Sequence, residues 1–179
     1  MKPQMTKQLL FDLESTGLLR RGSTVHCIVM RDMQSADDPI VFDYRPERAV
    51  IQGVKQLENA NVLIGHNIIG YDIPLLKEQY EFNPRGEVLD TLVLSRLFYP
   101  HIIDRDYERR PIGMPQRLYG RHSLEAWGYR LKCFKGDFAK SDSNDWSQYT
   151  PEMLDYCIQD TAVTLKLFEL LQRRMQDYA

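Results

Sequence analysis

The sequence predicts an α/β fold built on a mixed sheet of five strands. Three strand-like segments with short connections open the chain, which favours an antiparallel meander. From Pro46 onward the apolar residues change to a helical period, and helices then alternate with short apolar segments typical of buried strands. A strand, helix, strand order implies parallel pairing through a right-handed crossover. We therefore expect the first three strands to be antiparallel and the later pairings to be parallel.

Length, charge and cysteine content narrow the class of protein. The 179 residues suit a single domain, 1–179, with no room for a second sizeable one. No apolar run approaches the roughly 20 residues that span a bilayer, and the amino terminus does not resemble a secretion signal, so we expect a cytoplasmic protein without a membrane partner. Cys27, Cys133 and Cys157 are widely scattered and are interpreted as reduced thiols. The formal charge of −2 argues against nucleic-acid binding by bulk electrostatics, so bound cations and a local basic patch would have to offset the acids.

The first predicted strand carries two carboxylates. Leu9 to Leu13 is an apolar segment typical of a buried strand, and residues i and i+2 of a strand point to the same face. Asp12 and Glu14 would therefore project from one face of the sheet. Two adjacent buried carboxylates require a cation, which would make them half of a metal site; alternatively, they lie in water at a strand end. Asp104 and Asp106 have the same spacing and are interpreted as solvated.

Two more strands, a helix and a fourth strand follow. Val25 to Met30 and Pro39 to Tyr44 are apolar segments bounded by polar loops, which predicts strands. Pro46 to Glu58 has apolar residues at helical spacing and a proline in its first turn, which predicts an amphipathic helix. Asn61 to Gly65 is predicted as a short buried strand, parallel to the first.

A loop punctuated by glycines leads from the fourth strand into the next helix. It runs from Gly65 to Leu76 and contains Asn67 and Asp72. Because Asp72 precedes Ile73-Pro74, one interpretation makes it the N-cap of that helix. The other aims its carboxylate at the carboxyl end of the sheet, where the sites of α/β proteins collect. The two roles are compatible.

The fifth strand begins the second half of the chain. It is predicted at Glu87 to Asp90, with Asp90 capping a helix that runs from Thr91 to Tyr99. Residues 100–121 are rich in proline, glycine and arginine, which predicts a long basic loop. This loop would be either a flexible insertion or a flap that touches phosphates.

Two helices close the chain. A short helix is predicted at Ser123 to Leu131, followed by a polar loop from Lys132 to Gln148. Thr150-Pro151-Glu152 is a clear helix start, with a cap residue, proline at the first position and an acid in the first turn. Apolar residues extend this helix to about Met175.

Three distant segments of the chain contribute four candidate carboxylates. Tyr156 and Asp160 are four residues apart and share a helix face. The segments Phe11-Asp12-Leu13-Glu14, Asn67-Ile68-Ile69-Gly70-Tyr71-Asp72 and Tyr156-Cys157-Ile158-Gln159-Asp160 resemble the three motifs of the DnaQ-like (DEDD) exonucleases. The tyrosine in the third motif is the DEDDy variant of polymerase editing domains. Residues 89–97 and 122–131 look like the exonuclease domain of phage family A DNA polymerases, so the resemblance covers nearly the whole chain.

The resemblance implies an RNase H-like three-layer α/β/α fold and a proofreading 3′→5′ exonuclease. Such an enzyme hydrolyses phosphodiester bonds at single-stranded or frayed DNA 3′ ends and releases nucleoside monophosphates, using two divalent cations, Mg²⁺ or Mn²⁺. By resemblance, Asp12 would bridge both ions, Glu14 and Asp160 would complete the site that activates water, and Asp72 would support the second ion. Tyr156 would orient the attacking water, because a phenol with an ordinary pKa of about 10 is a poor base at neutral pH.

The resemblance also suggests substrate contacts and partners. Leu18 would wedge against the terminal base and Asn67 would contact the terminal nucleotide; the alternatives are a core leucine and a loop amide. No residues remain for a polymerase domain, which leaves open whether the chain is the editing domain of a DNA polymerase or a free-standing relative. Two alternative functions also stay open: a DNA-binding module that is silent without its polymerase partner, and a ribonuclease of the same fold.

Overall fold

The computed structural model describes residues 6–17, 22–133 and 146–177. These residues contain five strands: β1 (Gln8–Ser15), β2 (Val25–Asp32), β3 (Ile40–Phe42), β4 (Val62–Gly65) and β5 (Glu87–Asp90). The strands form one sheet in the order β3-β2-β1-β4-β5. Neighbours β1, β2 and β3 pair antiparallel, whereas β1 with β4 and β4 with β5 pair parallel. The predicted mixed α/β sheet is therefore confirmed.

Six helices flank the sheet in the described residues: α1 (Val50–Glu58), α2 (Asp72–Tyr80), α3 (Thr91–Phe98), α4 (Ile102–Arg109), α5 (Leu124–Arg130) and α6 (Pro151–Gln176). Short 3₁₀ turns occupy Pro46–Arg48 and Gln116–Leu118. The single helix expected from Pro46 to Glu58 is divided at Ala49, whose extended ψ of 141° separates the 3₁₀ turn from α1.

The predicted helix starts at α3, α5 and α6 are confirmed. Asp90 accepts a hydrogen bond from the Leu92 N–H at 2.9 Å. The hydroxyl oxygens of Ser123 and Thr150 accept from backbone N–H groups three residues on, at 3.4 and 3.1 Å. These caps satisfy backbone donors that have no partner inside the helix.

The helices pack on both faces of the sheet, which gives three layers. Leu9, Phe11 and Leu13 of β1 belong to a buried cluster that includes residues of α1 and α2. Leu10, one position out of phase, packs with Phe168 of α6 on the opposite face. Because side chains alternate along a strand, the other even-numbered residues of β1 project toward the face that α6 covers.

Residues 100–121 are not the long loop expected from the sequence. Ile102 to Arg109 forms α4, and Ile102 packs with Tyr99, Trp127 and residues of α6 in a second buried cluster. The breakers Pro111, Gly113 and Pro115 all follow the helix rather than interrupt it. Only two residues of α4, Ile102 and Asp106, are buried. The apolar pattern that predicts a helix is therefore weak among the many arginines.

Asp106 is not solvated as expected. It is only 2% exposed, and its carboxylate accepts hydrogen bonds from Arg130 Nε at 2.8 Å and Nη2 at 2.7 Å. The Gly120 N–H also donates to it, at 2.9 Å. Burial is possible because a bidentate guanidinium and a backbone donor replace water, whereas Asp104 on the same helix remains exposed.

None of the described helices combines the length and hydrophobicity that a bilayer crossing requires.

Candidate active site

The carboxylates of β1 lie on the part of the strand that extends beyond its pairing with β4. The last residue of β1 that pairs with β4 is Leu10, opposite Ile64, whereas the pairing with β2 continues to Ser15. Beyond Leu10, no strand of the described residues lies on the β4 side of β1. Asp12 and Glu14 stand on this overhang, half-buried, at the carboxyl end of the sheet where the parallel strands also finish.

Helix α6 brings the third motif onto the same face as Asp12. The buried Cys157 thiol donates a hydrogen bond to Asp12 Oδ2, with a sulfur–oxygen distance of 3.5 Å. Asp160 lies three residues further along α6, so it occupies the same side of the helix. The Tyr156 phenol donates a hydrogen bond to the Asp160 carboxylate.

Asp72 reaches the site from the opposite layer. It is the first residue of α2 and is 4% exposed, and it accepts hydrogen bonds from its own N–H and from the Leu13 N–H on the open side of β1. The N-cap position belongs to Tyr71, which makes no side-chain cap. The interpretation of Asp72 as an N-cap is therefore wrong, because its carboxylate is directed to β1 instead.

Two side chains hold the loop that precedes Asp72. Asp90 accepts from the Asn67 N–H at 2.9 Å and from the Ile69 N–H at 3.0 Å, in addition to capping α3. The Tyr71 hydroxyl lies 2.5 Å from the Ser15 hydroxyl and also donates to the Gly17 carbonyl. The loop is thus attached to the ends of both β5 and β1.

The four carboxylates share an environment that opposes their ionisation. Burial raises the pKa of Asp12 well above its ordinary value, and the charges of Asp160, Asp72 and Glu14 raise it further. Burial, with Asp160 the next cause, raises the pKa of Glu14 to about 9. The pKa values of Asp72 and Asp160 rise to about 7, in both cases chiefly because of burial. A bound cation would offset both the lost hydration and the mutual repulsion.

The donor set fits hard divalent cations. Ligand atoms of Asp12, Glu14 and Cys157 all lie within 4.8 Å of one another. Burial raises the pKa of Cys157 well above that of an ordinary thiol, so the sulfur stays protonated and acts as a donor to Asp12 rather than as a ligand. The remaining candidate metal ligands are carboxylate oxygens, which suit Mg²⁺ or Mn²⁺.

Tyr156 remains a neutral phenol in this environment. Burial raises its pKa above the ordinary value, and the neighbouring charges of Asp160, Glu14 and Asp12 add to the effect. Its ring also meets the Trp146 ring edge to face, with 6.1 Å between centroids. The hydroxyl can therefore donate a hydrogen bond at neutral pH but cannot act as a base.

The two predicted substrate contacts have different outcomes. Leu18 lies outside the described residues. Asn67 is exposed and adopts a left-handed backbone conformation with φ of 61°, which asparagine tolerates better than most residues. Its backbone N–H donates to Asp90 at the end of β5, and its contact with a nucleotide stays a prediction.

Sequence reasoning missed three positioning residues: Cys157, Tyr71 and Asp90. Cys157 was interpreted only as a reduced thiol, although its place three residues before Asp160 could have indicated that it faces β1. Asp90 was correctly interpreted as a cap, but its bonds to Asn67 and Ile69 cross 23 and 21 residues of sequence. No local pattern reveals such contacts.

Comparisons with known proteins identify relatives by sequence. No protein-family model matches the chain. It is 32% identical over 187 aligned residues to the DNA-directed DNA polymerases of Enterobacteria phage T3 and Escherichia phage T7. The alignment covers 91% of this chain but only 26% of each polymerase, so the chain spans about a quarter of the length of these relatives.

Solved structures share the fold. Brucella melitensis NrnC superposes with a TM-score of 0.67 at 18% identity, covering 97% of this chain and 76% of that one. Escherichia coli RNase D superposes with a TM-score of 0.63 at 14% identity, covering 95% of this chain and 40% of that one. At these identities the likeness shows the three-layer RNase H-like fold alone. The chain is therefore similar in sequence to about a quarter of the length of each phage polymerase and shares its fold with NrnC and RNase D.

Proposed function

We propose that the chain is a metal-dependent 3′→5′ exonuclease that acts on DNA. The observation that carries this proposal is the meeting of Asp12, Glu14, Asp72 and Asp160 in one partly buried cluster, where loss of hydration raises the pKa of all four. A fold does not require such a cluster, which destabilises the chain unless cations bind there. The sequence relationship to DNA polymerases supports DNA as the substrate.

The arrangement suggests how the four carboxylates divide their work. Asp12 is the group whose pKa is raised by all three of the others, which supports a central position and a role as the ligand shared by two cations. Glu14 and Asp160 would hold the first ion with Asp12, and Asp72 would hold the second with it. Two divalent ions bound there would activate water at neutral pH and stabilise the attacking and leaving oxygens. A solved structure of NrnC, which shares the fold, contains bound Mg²⁺.

The remaining residues would position water and substrate. The Tyr156 hydroxyl, a neutral donor beside Asp160, would orient the attacking water rather than remove its proton. Asn67 and Leu18 would contact the terminal nucleotide. A mispaired 3′ end separates from its template at lower cost than a paired one, so a site that accepts single strands would remove mismatches preferentially. We propose a DNA polymerase domain or subunit as the partner and the cytoplasm as the compartment.

The test uses single-stranded DNA labelled at its 3′ end. We expect release of a labelled mononucleotide with Mg²⁺ or Mn²⁺ and none with EDTA. Asp12→Asn preserves the shape of the side chain but removes the shared charge, so it should abolish release. The matched control is Asp104→Asn, which replaces an exposed acid on α4 outside the carboxylate cluster and should retain full activity. Release that continues in EDTA, or in Asp12→Asn, would contradict the proposal.

A ribonuclease is the second candidate. Escherichia coli RNase D is described as an exoribonuclease involved in structured RNA processing, and NrnC has been solved bound to pGG. DNA and RNA strands of one sequence, digested side by side, separate the two candidates by initial rate. Faster release from RNA would favour a ribonuclease. A chain that binds Mn²⁺ and DNA but cleaves neither strand would instead be a binding module that depends on its polymerase.

A further inference from the structure

A cavity of about 840 Å³ lies between α4 and the carboxyl end of α5. Aromatic and apolar side chains form part of its wall, among them Tyr99, Trp127, Ile112 and Leu170. None of its lining residues is one of the four carboxylates. The cavity is therefore separate from the site described above, and neither the fold nor the proposed chemistry accounts for it.

Positive charge dominates the lining of this cavity. Among the described residues that line it, Asp106 is the only acid, and its carboxylate already accepts hydrogen bonds from Arg130 and the Gly120 N–H. The lining cations are Arg105, Arg109, Arg110, Arg130 and Lys132. After Asp106 and Arg130 neutralise each other, four cations remain, in a chain whose formal charge is −2. We call this feature the arginine cavity.

The remaining cations have few partners inside the protein. The Arg105 guanidinium lies over the Tyr99 ring, 5.0 Å from its centroid. Arg109, Arg110 and Lys132 form no salt bridge with any residue in the described ranges. Basic residues at the ends of α4 and α5 interact favourably with the helix dipoles, but that effect falls off within the last turn and does not neutralise four like charges. An anion would.

Two buried donors also border the arginine cavity. Trp127 Nε1 and Arg130 Nη1 are inaccessible to solvent and have no hydrogen-bond partner among the described residues. Trp127 is 2% exposed and the Arg130 side chain is 9% exposed. Because both atoms are shielded from solvent, a ligand in the cavity would meet the exposed cations Arg109, Arg110 and Lys132 instead. Phosphate oxygens are acceptors that guanidinium groups recognise well.

The arginine cavity is connected to the carboxylate cluster through α6. Lys132 precedes Cys133, whose carbonyl accepts a hydrogen bond from Gln159 Nε2 at 3.3 Å, and Gln159 is adjacent to Asp160. Leu170, in the cavity wall, lies ten residues beyond Asp160 on the same helix, or about 15 Å along its axis. A strand that entered the carboxylate cluster could therefore continue over this surface.

We propose that the arginine cavity binds the phosphates of a single nucleic-acid strand upstream of its 3′ end. The direction of the strand rests on the proposed exonuclease function. The phosphate contacts are inferred from the cavity alone and do not depend on that function. The cavity offers guanidinium groups for phosphates and aromatic and apolar surface for the adjoining sugar and base, the combination typical of surfaces that bind single strands. It would hold the strand while the terminal nucleotide occupies the carboxylate cluster.

The test measures binding without cleavage. A fluorescently labelled single-stranded DNA is titrated with the full chain in EDTA, and anisotropy gives the affinity at several salt concentrations. The cavity variant is Arg109→Gln with Arg110→Gln. The matched control is Lys55→Gln with Arg85→Gln, which removes the same charge from exposed positions outside the cavity. Each lost phosphate contact lowers the slope of log affinity against log salt by about 0.7 for a single strand, so we expect the cavity variant to lose about 1.4 and the control to lose nothing.

Further arms make the outcome decisive. Arg109→Lys with Arg110→Lys keeps the charge and should restore most of the slope. Equal losses in the cavity variant and the control, or no loss in either, would overturn the proposal. Tighter binding of a nucleoside monophosphate than of the strand would identify a free-nucleotide site and would also overturn it. Cleavage is measured separately with Mg²⁺, so a failed exonuclease proposal is distinguished from a failed binding proposal.

Discussion

Replacing Asp106 by alanine probes the buried ion pair between α4 and α5. The Asp106 side chain is 2% exposed and the Arg130 side chain 9% exposed, and two guanidinium nitrogens bond to the carboxylate. The substitution removes the acid but leaves the guanidinium in place. Arg130 then carries an uncompensated buried charge, and the Gly120 N–H loses its acceptor.

The structure gives the size of the effect. Removing one partner of a buried ion pair costs about 3–5 kcal/mol, and the unpaired Gly120 N–H adds about 1 kcal/mol. For a chain of this size each kcal/mol lowers the melting temperature by about 2–4 °C. We therefore expect Asp106→Ala to melt about 8–24 °C below the wild type. Asp106→Ala combined with Arg130→Met removes the orphaned charge and should regain part of this loss.

The pH dependence of the effect follows from the direction of the pKa shift. Burial alone would raise the pKa of Asp106, but the hydrogen bonds from Arg130 and Gly120 lower it below the ordinary value. The folded chain thus keeps the carboxylate ionised to lower pH than the unfolded chain does. The stability that Asp106 provides is fully present above its unfolded pKa of about 3.9 and is lost as the pH falls through the folded pKa. The difference between wild type and variant should be constant from neutral pH to about pH 5 and narrow below pH 4.

Circular dichroism melting curves at neutral pH and at acid pH measure both effects. Asp104→Ala on the same helix is the control, and as an exposed substitution it should change stability by no more than about 0.5 kcal/mol. If Asp106→Ala melted within 2 °C of Asp104→Ala, the pair would be solvated and the reasoning refuted. A difference that widened in acid would refute the sign of the pKa argument.

Four further measurements examine the site and its supports. Mg²⁺ at about 100 times its Kd should stabilise the wild type by about 2.7 kcal/mol, seen as a higher melting temperature, and Asp12→Asn should lose this increase; a full increase in the variant would exclude Asp12 as a ligand. Tyr156→Phe should lower the rate of nucleotide release by about 10-fold or more, within the range that a positioned donor supplies, while calorimetry shows unchanged Mn²⁺ affinity; an unchanged rate would remove the assigned role. Asp90→Asn can keep one acceptor oxygen but replaces the other with an amide that faces the Ile69 N–H, so urea denaturation should show a loss of about 2 kcal/mol; a neutral result would mean that the loop is held by other contacts. Burial lowers the pKa of His66 to about 4, so its ring resonances in an NMR titration should remain those of the neutral form at pH 5.5, and a midpoint near pH 6.5 would contradict this.

Local patterns predicted the elements whose causes are local. Strand alternation placed Asp12 and Glu14 on one face of β1, and the cap residues Ser123 and Thr150 marked the starts of α5 and α6. The antiparallel and parallel halves of the sheet followed from connection length alone. In each case the deciding residues lie within a few positions of one another.

The failures have causes that are distant in the sequence. Asp106 appeared solvated because Arg130, its partner, is 24 residues away. Cys157 appeared unremarkable because Asp12, to which it donates, is 145 residues away. The resemblance to the exonuclease motifs suggested that the four carboxylates belong together. The contact of Asp72 with the Leu13 N–H, in contrast, depends on the crossover that brings α2 to the end of β1.

The overhang of β1 makes a single backbone amide a reporter of how the pocket is assembled. The Leu13 N–H faces the side of β1 that β4 has left, and the acceptor assigned to it there is the Asp72 carboxylate. Its exchange with deuterium should therefore be slow only while Asp72 is seated. Amide exchange at this one position would reveal a displaced second motif in a chain that is otherwise fully folded, with neither metal nor substrate present.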